Sequence, residues 1–153
     1  MVACFAPVRN WAASRGRVPF PTGVQLIRID HRGRPQKDRG GKGKRDYGRM
    51  NGAVLVLGDL GEAGGVHVCE GVADALAVAA REQGAVIAAR TTGGFKSLPP
   101  ALVGLGLPVM VWPGGDQDGR LAATRLVGAV RDQGLRAVVA RIPEGASPAP
   151  FGS

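Results

Sequence analysis

The sequence predicts an α/β fold, in which a four-stranded parallel sheet is flanked by helices and preceded by a small β-rich basic lobe. From Val66 onward, short apolar segments alternate with helix-forming segments at the spacing of β-α-β units. Residues 1–65 differ in composition, because they are rich in Gly, Pro and Arg. The 153 residues are 44% hydrophobic, so the chain is long enough for one compact domain with its own core.

The N-terminal lobe is predicted to span residues 1–65 and to contain two strands. Residues 24–29 are rich in β-branched side chains, and Ala53–Leu57 reads A-V-L-V-L. Between these strands, a turn is expected at 30–33, followed by a flexible basic loop at 37–44 with the sequence K-D-R-G-G-K-G-K. We do not expect this lobe to be an independent domain.

Residues 66–144 are predicted to form the α/β domain itself, and residues 145–153 a flexible tail of Pro, Ala, Ser and Gly. The expected strands lie at 66–69, 86–89, 109–112 and 136–142. The expected helices lie at 74–83, 97–106 and 120–133. Gly84 and Gly134 follow the first and last of these helices and are expected to end them.

Acidic side chains follow two of the predicted parallel strands. Glu70 comes after the first strand, and Asp116 and Asp118 come after the third. Ligands of open parallel sheets bind outside the carboxyl ends of the strands, so these three side chains are predicted to meet there. Carboxylates that converge repel each other unless a divalent cation neutralises them, and their hard oxygen atoms suit Mg²⁺ or Mn²⁺. The sequence therefore predicts a metal site that can bind phosphate.

A purely structural interpretation of the same acids stays open. An aspartate near the start of a helix is often an N-cap, and Asp118 could cap a helix that begins at Arg120. Asp74 could likewise stand in the first turn of its own helix, where a negative charge favours the helix dipole.

Two segments resemble the motifs of the Toprim family. The segment E-G-V-A-D-A-L-A, which begins at Glu70, resembles the first motif, and V-M-V-W-P-G-G-D-Q-D-G, which begins at Val109, resembles the second, or D-x-D, motif. The resemblance covers residues 66–142. Within the family, the chain is most similar to the Toprim domains of phage- and plasmid-borne DNA primases and primase-helicases.

The resemblance implies a Toprim-like, Rossmann-like fold and Mg²⁺-dependent nucleotidyl transfer that makes RNA primers in replication. It implies that Glu70 is a metal ligand or general acid/base and that Asp116 and Asp118 bind metal. Asp74 matches an accessory acidic position. The implied partners are a single-stranded DNA template, nucleoside triphosphates and a replicative helicase.

The chain also departs from the primase pattern. The strand at 136–142 is followed by P-E-G-A-S-P-A-P-F-G-S, where related primases have an acidic segment. We therefore expect a fragment, a truncated reading frame or one subunit of a split enzyme, and whether the isolated chain is active stays open. Three rivals remain: a Toprim nuclease that uses water as the nucleophile, a non-catalytic nucleic-acid-binding remnant of a mobile-element replication protein, and a plain nucleotide-binding doubly wound domain.

The positive charge of the chain indicates a polyanionic partner. Its 20 Lys and Arg residues outnumber its 12 Asp and Glu residues, which gives a formal charge of +8. Cations are concentrated between residues 28 and 49, and a solvated loop is the alternative interpretation of that stretch. The predicted nucleic-acid-binding residues are Lys37, Arg39, Lys42, Lys44 and Arg45.

Several other classes of protein are disfavoured by the sequence. No apolar run reaches membrane-spanning length, and Arg9 and Arg15 interrupt what would be a signal peptide, so a cytoplasmic location without membrane contact is expected. Cys4 and Cys69 do not form a C-x-x-C pair, and Cys69 is expected in the core. No G-K-[ST] follows the glycines of the second motif, so no Walker A loop is present.

Overall fold

The computed structural model describes residues 1–7, 20–32, 34, 36–143 and 148. Within this part, the chain forms an eight-stranded mixed sheet in the strand order β3-β2-β1-β4-β6-β5-β7-β8. The strands are β1 Val2–Pro7, β2 Gly23–Ile27, β3 Lys44–Gly48, β4 Ala53–Leu57, β5 Val66–Cys69, β6 Ala85–Ala88, β7 Val109–Val111 and β8 Ala137–Val139. The helices are α1 Val72–Ala79, α2 Pro99–Leu105 and α3 Gln117–Arg131, with a 3₁₀ helix at Thr92–Ser97. The predicted tail at 145–153 lies outside the described residues, apart from Pro148.

One half of the sheet is parallel. Strands β6, β5, β7 and β8 pair side by side in that order, with β5 between β6 and β7. Every residue of β5 and β6 is buried, as expected of parallel strands that have helices on both faces. The sequence predicted a parallel sheet of four strands, and in the structure these four strands are half of a larger mixed sheet.

The other half of the sheet is antiparallel and contains the strands of the predicted lobe. β4 pairs with β6 on one side and with β1 on the other, and β2 and β3 extend the sheet beyond β1. Strands β1 and β3 were not expected from the sequence. Hydrogen bonds between β4 and β6 join residues 1–65 to residues 66–144 within one sheet. The division of the chain into these two parts stays a prediction.

Helices cover both faces of the parallel half. Successive side chains of a strand point to opposite faces, so Val68 and Cys69 enter different cores. The face of Cys69 packs against α1, and the contributing buried side chains are Ala75, Val78, Val86 and Ala88. The face of Val68 packs against α2 and α3, and its buried side chains include Ile87, Leu102, Val111, Leu126, Val127 and Val130.

A third, smaller cluster joins the antiparallel strands to α1. Phe5, Ile27, Met50 and Ala53 are buried together with Val72, the first residue of α1. This cluster fixes the antiparallel strands close to the point where α1 begins, at the carboxyl end of β5. No helix in the described part of the chain has the length and apolar character needed to cross a membrane.

This arrangement creates a crevice at one edge of the sheet. β5 and β7 are neighbours, but the helices that follow them, α1 and α3, lie on opposite faces. The loops after such a pair of strands diverge and leave a space outside their carboxyl ends, where α/β proteins bind ligands. Glu70 follows β5 and Asp116 follows β7 at this edge.

The start of α3 corrects one expectation. The helix begins at Gln117 because the Asp116 side chain accepts a hydrogen bond of 2.7 Å from the Gly119 N–H. Asp116 is therefore the N-cap, and the alternative that Asp118 caps a helix beginning at Arg120 is wrong. Asp74 lies in the first turn of α1, as the structural interpretation expected.

Candidate active site

Glu70 and Asp116 follow the carboxyl ends of β5 and β7, and we call this part of the sheet the acidic edge. Glu70 lies at its centre. Its half-buried carboxylate accepts a hydrogen bond from the backbone N–H of Thr92, the first residue of the 3₁₀ helix. Burial raises the pKa of Glu70 above its ordinary value, and the negative charges of Asp116 and Asp74 raise it further. The Thr92 hydrogen bond and the positive charge of Lys44 oppose this rise. Glu70 is therefore surrounded by groups from β3, α1, the 3₁₀ helix and the β7–α3 loop.

Asp116 faces the same small space as Glu70. A Cβ atom built on Gly114 would lie 3.2 Å from Glu70 Oε2 and 3.8 Å from Asp116 Oδ1. Gly119 allows this approach, because a Cβ atom there would lie 2.8 Å from the Gly114 Cα atom. Since only glycine fits at such a distance, the β7–α3 loop folds tightly and holds Asp116 opposite Glu70.

Asp118 faces a neighbouring groove. It lies exposed in the first turn of α3 and lines an open groove of ≈ 470 Å³ between α3 and the 3₁₀ helix. The other groove residues include Thr92, Phe95, Lys96, Leu121 and Arg125. Within the described residues, no three His, Cys, Asp or Glu side chains are close enough together to hold a metal ion. The structure thus brings Glu70 and Asp116 together and leaves Asp118 beside them.

Asp74 supports the acidic edge from the α1 side. Its side chain is buried, and its charge contributes to the raised pKa values of both Glu70 and Cys69. It approaches Gly71, since a Cβ atom at Gly71 would be 3.4 Å from Asp74 Oδ2. Its position in the first turn of α1 favours the helix dipole, and the accessory role that the resemblance implies for Asp74 stays a prediction.

The two carboxylates of the acidic edge are ligands of the type that a hard divalent cation prefers, and water and substrate would have to complete its coordination. Mg²⁺ is usually bound by one or two carboxylates, with water and substrate phosphates completing its coordination. Glu70 and Asp116 each place one carboxylate oxygen beside Gly114, and the Asp116 oxygen there, Oδ1, is the one that accepts the N-cap hydrogen bond. Burial is the main cause of the raised pKa of Glu70, and the negative charges of Asp116 and Asp74 add a smaller part that a nearby cation would oppose.

The predicted nucleic-acid-binding residues lie on an organised hairpin. Lys44 and Arg45 belong to β3, and Lys44 is near enough to act on the charge of Glu70. Asp38 accepts hydrogen bonds from the backbone N–H groups of Gly40 and Lys42, both at 2.9 Å, and from Arg45 at 2.8 Å. The loop that was expected to be flexible is therefore closed by hydrogen bonds. Lys37, Arg39 and Lys42 are exposed on it.

The fold resembles that of a solved DNA primase domain from Pseudomonas aeruginosa. The two chains are 22% identical and superpose with a TM-score of 0.50, and the match covers 95% of this chain and 50% of the other. The chain has a primase-like fold. It spans half the length of the solved chain that it resembles. No protein-family model and no curated protein matches the sequence.

Arg90 is a residue of this primase-like fold that the sequence did not single out. It comes two residues after β6, at the same edge as Glu70, and pairs with Asp46 of β3 at 2.5 Å. Asp46 also accepts a hydrogen bond of 2.8 Å from the buried Gln25 side chain. The signal that was missed is a cation just after a predicted strand, the same signal by which Glu70 and Asp116 were found.

His67 and Trp112 form a hydrogen bond to each other inside the protein. The Trp112 indole N–H donates to His67 Nδ1 at 3.1 Å, and His67 Nε2 lies 3.0 Å from the Gln83 carbonyl oxygen. Since Nδ1 accepts, Nε2 carries the proton and donates to Gln83, so both ring nitrogens are used inside the protein.

Proposed function

We propose that the chain is a Toprim-type domain, of the kind found in phage- and plasmid-borne primases, that catalyses Mg²⁺-dependent nucleotidyl transfer in primer synthesis. The observation that carries the proposal is the meeting of Glu70 and Asp116 across Gly114, at the carboxyl edge of a primase-like fold. Lys44 adds a cation beside the two acids. Phosphoryl transfer uses both kinds of group, because a metal ion held by carboxylates binds the phosphate oxygens and a nearby cation holds the phosphate in position.

The chain's own residues have separable tasks in this proposal. A bound Mg²⁺ would supply charge neutralisation at the phosphate under attack. Glu70, whose pKa is raised by burial, would accept the proton of the attacking 3′-hydroxyl, while the Thr92 N–H keeps its carboxylate in place. Asp116 is fixed by its N-cap bond, and Asp118 adds negative charge at the mouth of the adjacent groove.

The proposal includes the partners implied by the Toprim resemblance. A single-stranded DNA template would lie along the hairpin that carries Lys37, Arg39, Lys42, Lys44 and Arg45. Nucleoside triphosphates would enter at the acidic edge, and a replicative helicase would supply the opened template in the cytoplasm. Binding through these cations would weaken with salt, because each neutralised phosphate releases a counterion.

The first test is calorimetric binding of Mg²⁺ and Mn²⁺. The Glu70→Gln/Asp116→Asn variant removes both charges but keeps a hydrogen-bond acceptor at each position, and Asn is as good an N-cap as Asp. The matched control is Glu62→Gln/Asp132→Asn, which changes two exposed acids by the same charge. We expect the natural chain and the control to bind metal and the Glu70/Asp116 variant to lose binding. Equal binding by all three would refute the metal site.

The second test separates primer synthesis from hydrolysis. The natural chain is incubated with Mg²⁺, labelled nucleoside triphosphates and a single-stranded DNA oligonucleotide that carries a different label. We expect new products labelled by the nucleoside triphosphates, which disappear in the Glu70→Gln/Asp116→Asn variant and persist in the control variant. Shortened oligonucleotides without new products would identify a Toprim nuclease and overturn the primase assignment.

A non-catalytic nucleic-acid-binding function is the second candidate. The observation that favours it is the position of Asp118, which faces the groove and leaves only two carboxylates in the shared space. A chain with this function would bind single-stranded DNA equally well with Mg²⁺ and with a chelator. It would also show no metal binding in calorimetry and no product in either assay.

A further inference from the structure

A second cavity adjoins the loop that connects β6 to the 3₁₀ helix. It has a volume of ≈ 430 Å³ and lies between the turn at 50–53 and the segment 89–97. Neither Glu70 nor Asp116 lines it, although Thr92 of the same segment donates its N–H to Glu70. The cavity is therefore a neighbour of the acidic edge and is separate from it.

The lining of this cavity is cationic and polar. Arg90 and Lys96 contribute the charged side chains, and no aspartate or glutamate is among the lining residues. Asn51 adds an exposed amide at the other wall. We call this cavity the Arg90–Lys96 pocket. Asp46 pairs with Arg90 from outside the lining, so Lys96 and the remaining guanidinium N–H groups of Arg90 are the groups that would bind an anionic ligand, and the open, polar walls suit a hydrated one.

Arg90 has an unusual backbone conformation. Its φ of 72° makes it the non-glycine residue with a left-handed backbone in the described part of the chain. That conformation is unfavourable for a large side chain and persists where the surrounding structure enforces it, often at binding sites. Here Asp46, itself held by the buried Gln25, grips one guanidinium nitrogen of Arg90. A guanidinium has five N–H donors, so a second ligand can bind the same group.

We propose that the Arg90–Lys96 pocket binds a phosphate group. Arginine donates paired hydrogen bonds to phosphate oxygens, and lysine adds a mobile positive charge. A phosphodiester of a nucleic-acid strand and the triphosphate of a nucleotide both offer this chemistry. The inference rests on the proposed function in its choice of ligand, because the pocket adjoins the edge at which that function places the reacting phosphate.

The test measures binding in the presence of a metal chelator, which keeps it independent of the acidic edge. The probes are a short single-stranded DNA oligonucleotide without a 5′-phosphate, and ATP. The variants are Lys96→Gln and Arg90→Asn, the latter because Asn tolerates a left-handed backbone. The control is Arg136→Gln, which removes an exposed cation at the start of β8, at the opposite edge of the sheet. Circular dichroism verifies that each variant is folded.

We expect Lys96→Gln and Arg90→Asn each to weaken binding about threefold to tenfold at low salt, with Arg136→Gln close to the natural chain. For the oligonucleotide, the slope of log affinity against log salt should fall by about 0.7 for each lost contact. A loss with the oligonucleotide alone assigns the pocket to a strand phosphate, and a loss with ATP alone assigns it to a nucleotide. If Lys96→Gln and Arg136→Gln behave alike with both probes, the inference is wrong.

These outcomes are distinguishable from failure of the proposed function. The Glu70→Gln/Asp116→Asn variant should retain the chelator-resistant binding, because it leaves Arg90 and Lys96 unchanged. A chain that binds no metal but loses anion binding in Lys96→Gln would keep the pocket and discard the metal site. The reverse result would keep the metal site and discard the pocket.

Discussion

At the scale of single residues, the negative charge of the Glu70 carboxylate destabilises the folded chain. Its carboxylate is half-buried beside Asp116 and Asp74, and its pKa is raised above the ordinary value of 4.5. A raised carboxyl pKa means that the folded chain binds this proton more tightly than the unfolded chain does. The stabilisation is therefore present at pH values below 4.5 and is lost as the pH rises through the folded pKa.

Glu70→Gln should therefore stabilise the protein at neutral pH in the absence of divalent cations. Because the site is partly exposed, we expect a gain below about 1 kcal/mol, which would raise Tm by up to about 4 °C. The gain should vanish at about pH 4, where the Glu70 side chain of the natural chain is largely protonated and therefore as uncharged as the glutamine of the variant. Thermal unfolding in a chelating buffer at both pH values measures it. A gain of equal size at both values would show that the charge of Glu70 is not its cause.

The two cysteine thiols should differ in reactivity. Burial, reinforced by the charge of Asp74, raises the pKa of the Cys69 thiol far above its usual range, whereas Cys4 is exposed on β1. Since the thiolate is the reactive form, an aromatic disulfide reagent should label one thiol rapidly in the native chain and both thiols in denaturant. In Cys4→Ser the rapid phase should disappear. A rapid phase that remains would mean that Cys69 is accessible.

At the scale of the structural elements, the 3₁₀ helix depends on a close backbone contact at Gly94. A Cβ atom at this position would lie 2.2 Å from the Ala89 carbonyl oxygen, while one at Gly93 would be 3.6 Å from its nearest neighbour, Thr91 Oγ1. The chain between β6 and the 3₁₀ helix therefore closes on itself at one glycine and has space at the next. This closure places the Thr92 N–H against Glu70.

Gly94→Ala should destabilise the protein by about 1–3 kcal/mol, because a backbone oxygen cannot move away as a flexible side chain can. Gly93→Ala, the matched control, should change stability by less than about 0.5 kcal/mol. Urea unfolding of the two variants beside the natural chain gives both values. Equal stability of the two would show that the loop adapts without strain.

The strands and helices of the parallel half were largely predictable from sequence, for a physical reason. Strands such as β5 and β6 are buried on both faces, so β6 appears as an unbroken apolar run and β5 as an apolar run that only His67 interrupts. β3 was missed because all five of its residues are exposed, and only its pairing with β2 makes it a strand. β1 was missed because its partners, β2 and β4, lie far along the chain.

The acidic edge was predictable because the strands that lead to it, β5 and β7, were predictable. The ends of β5 and β7 fix the positions of Glu70 and Asp116, so a rule about strand ends is enough to bring them together. The direction of Asp118 was not predictable, because it depends on where α3 begins, and the Asp116 cap sets that point. Arg90 directly follows the predicted strand at 86–89, so its place at this edge was predictable, whereas its pairing with Asp46 was not, because Asp46 belongs to the unpredicted strand β3.

At the scale of the whole molecule, the antiparallel strands complete the parallel half. β4 covers one edge of β6, and Phe5, Ile27 and Met50 pack against Val72 of α1. Each such large side chain contributes roughly 1.5–3 kcal/mol when fully buried. The predicted α/β domain would therefore lose both a neighbouring strand and part of a core if it were expressed alone.

A fragment of residues 66–153 should consequently unfold without a cooperative transition, bind a hydrophobic dye and aggregate. Circular dichroism on heating and size-exclusion chromatography compare it with the full chain. The control is the Phe5→Ala variant of the full chain, which weakens the same core by about 3–5 kcal/mol but keeps every strand. A fragment with a sharp transition near that of the full chain would establish residues 66–144 as a self-sufficient domain.

The composition of β3 has a consequence for colloidal behaviour. This strand ends one side of the sheet, and its residues Lys44, Arg45 and Asp46 are exposed. An outermost strand can recruit the equivalent strand of another molecule and begin fibril growth, unless charged side chains make the approach unfavourable. The cations that are proposed to bind a DNA template would thus also protect the free protein from self-association. Replacing them with neutral residues should shorten the time that concentrated solutions remain clear.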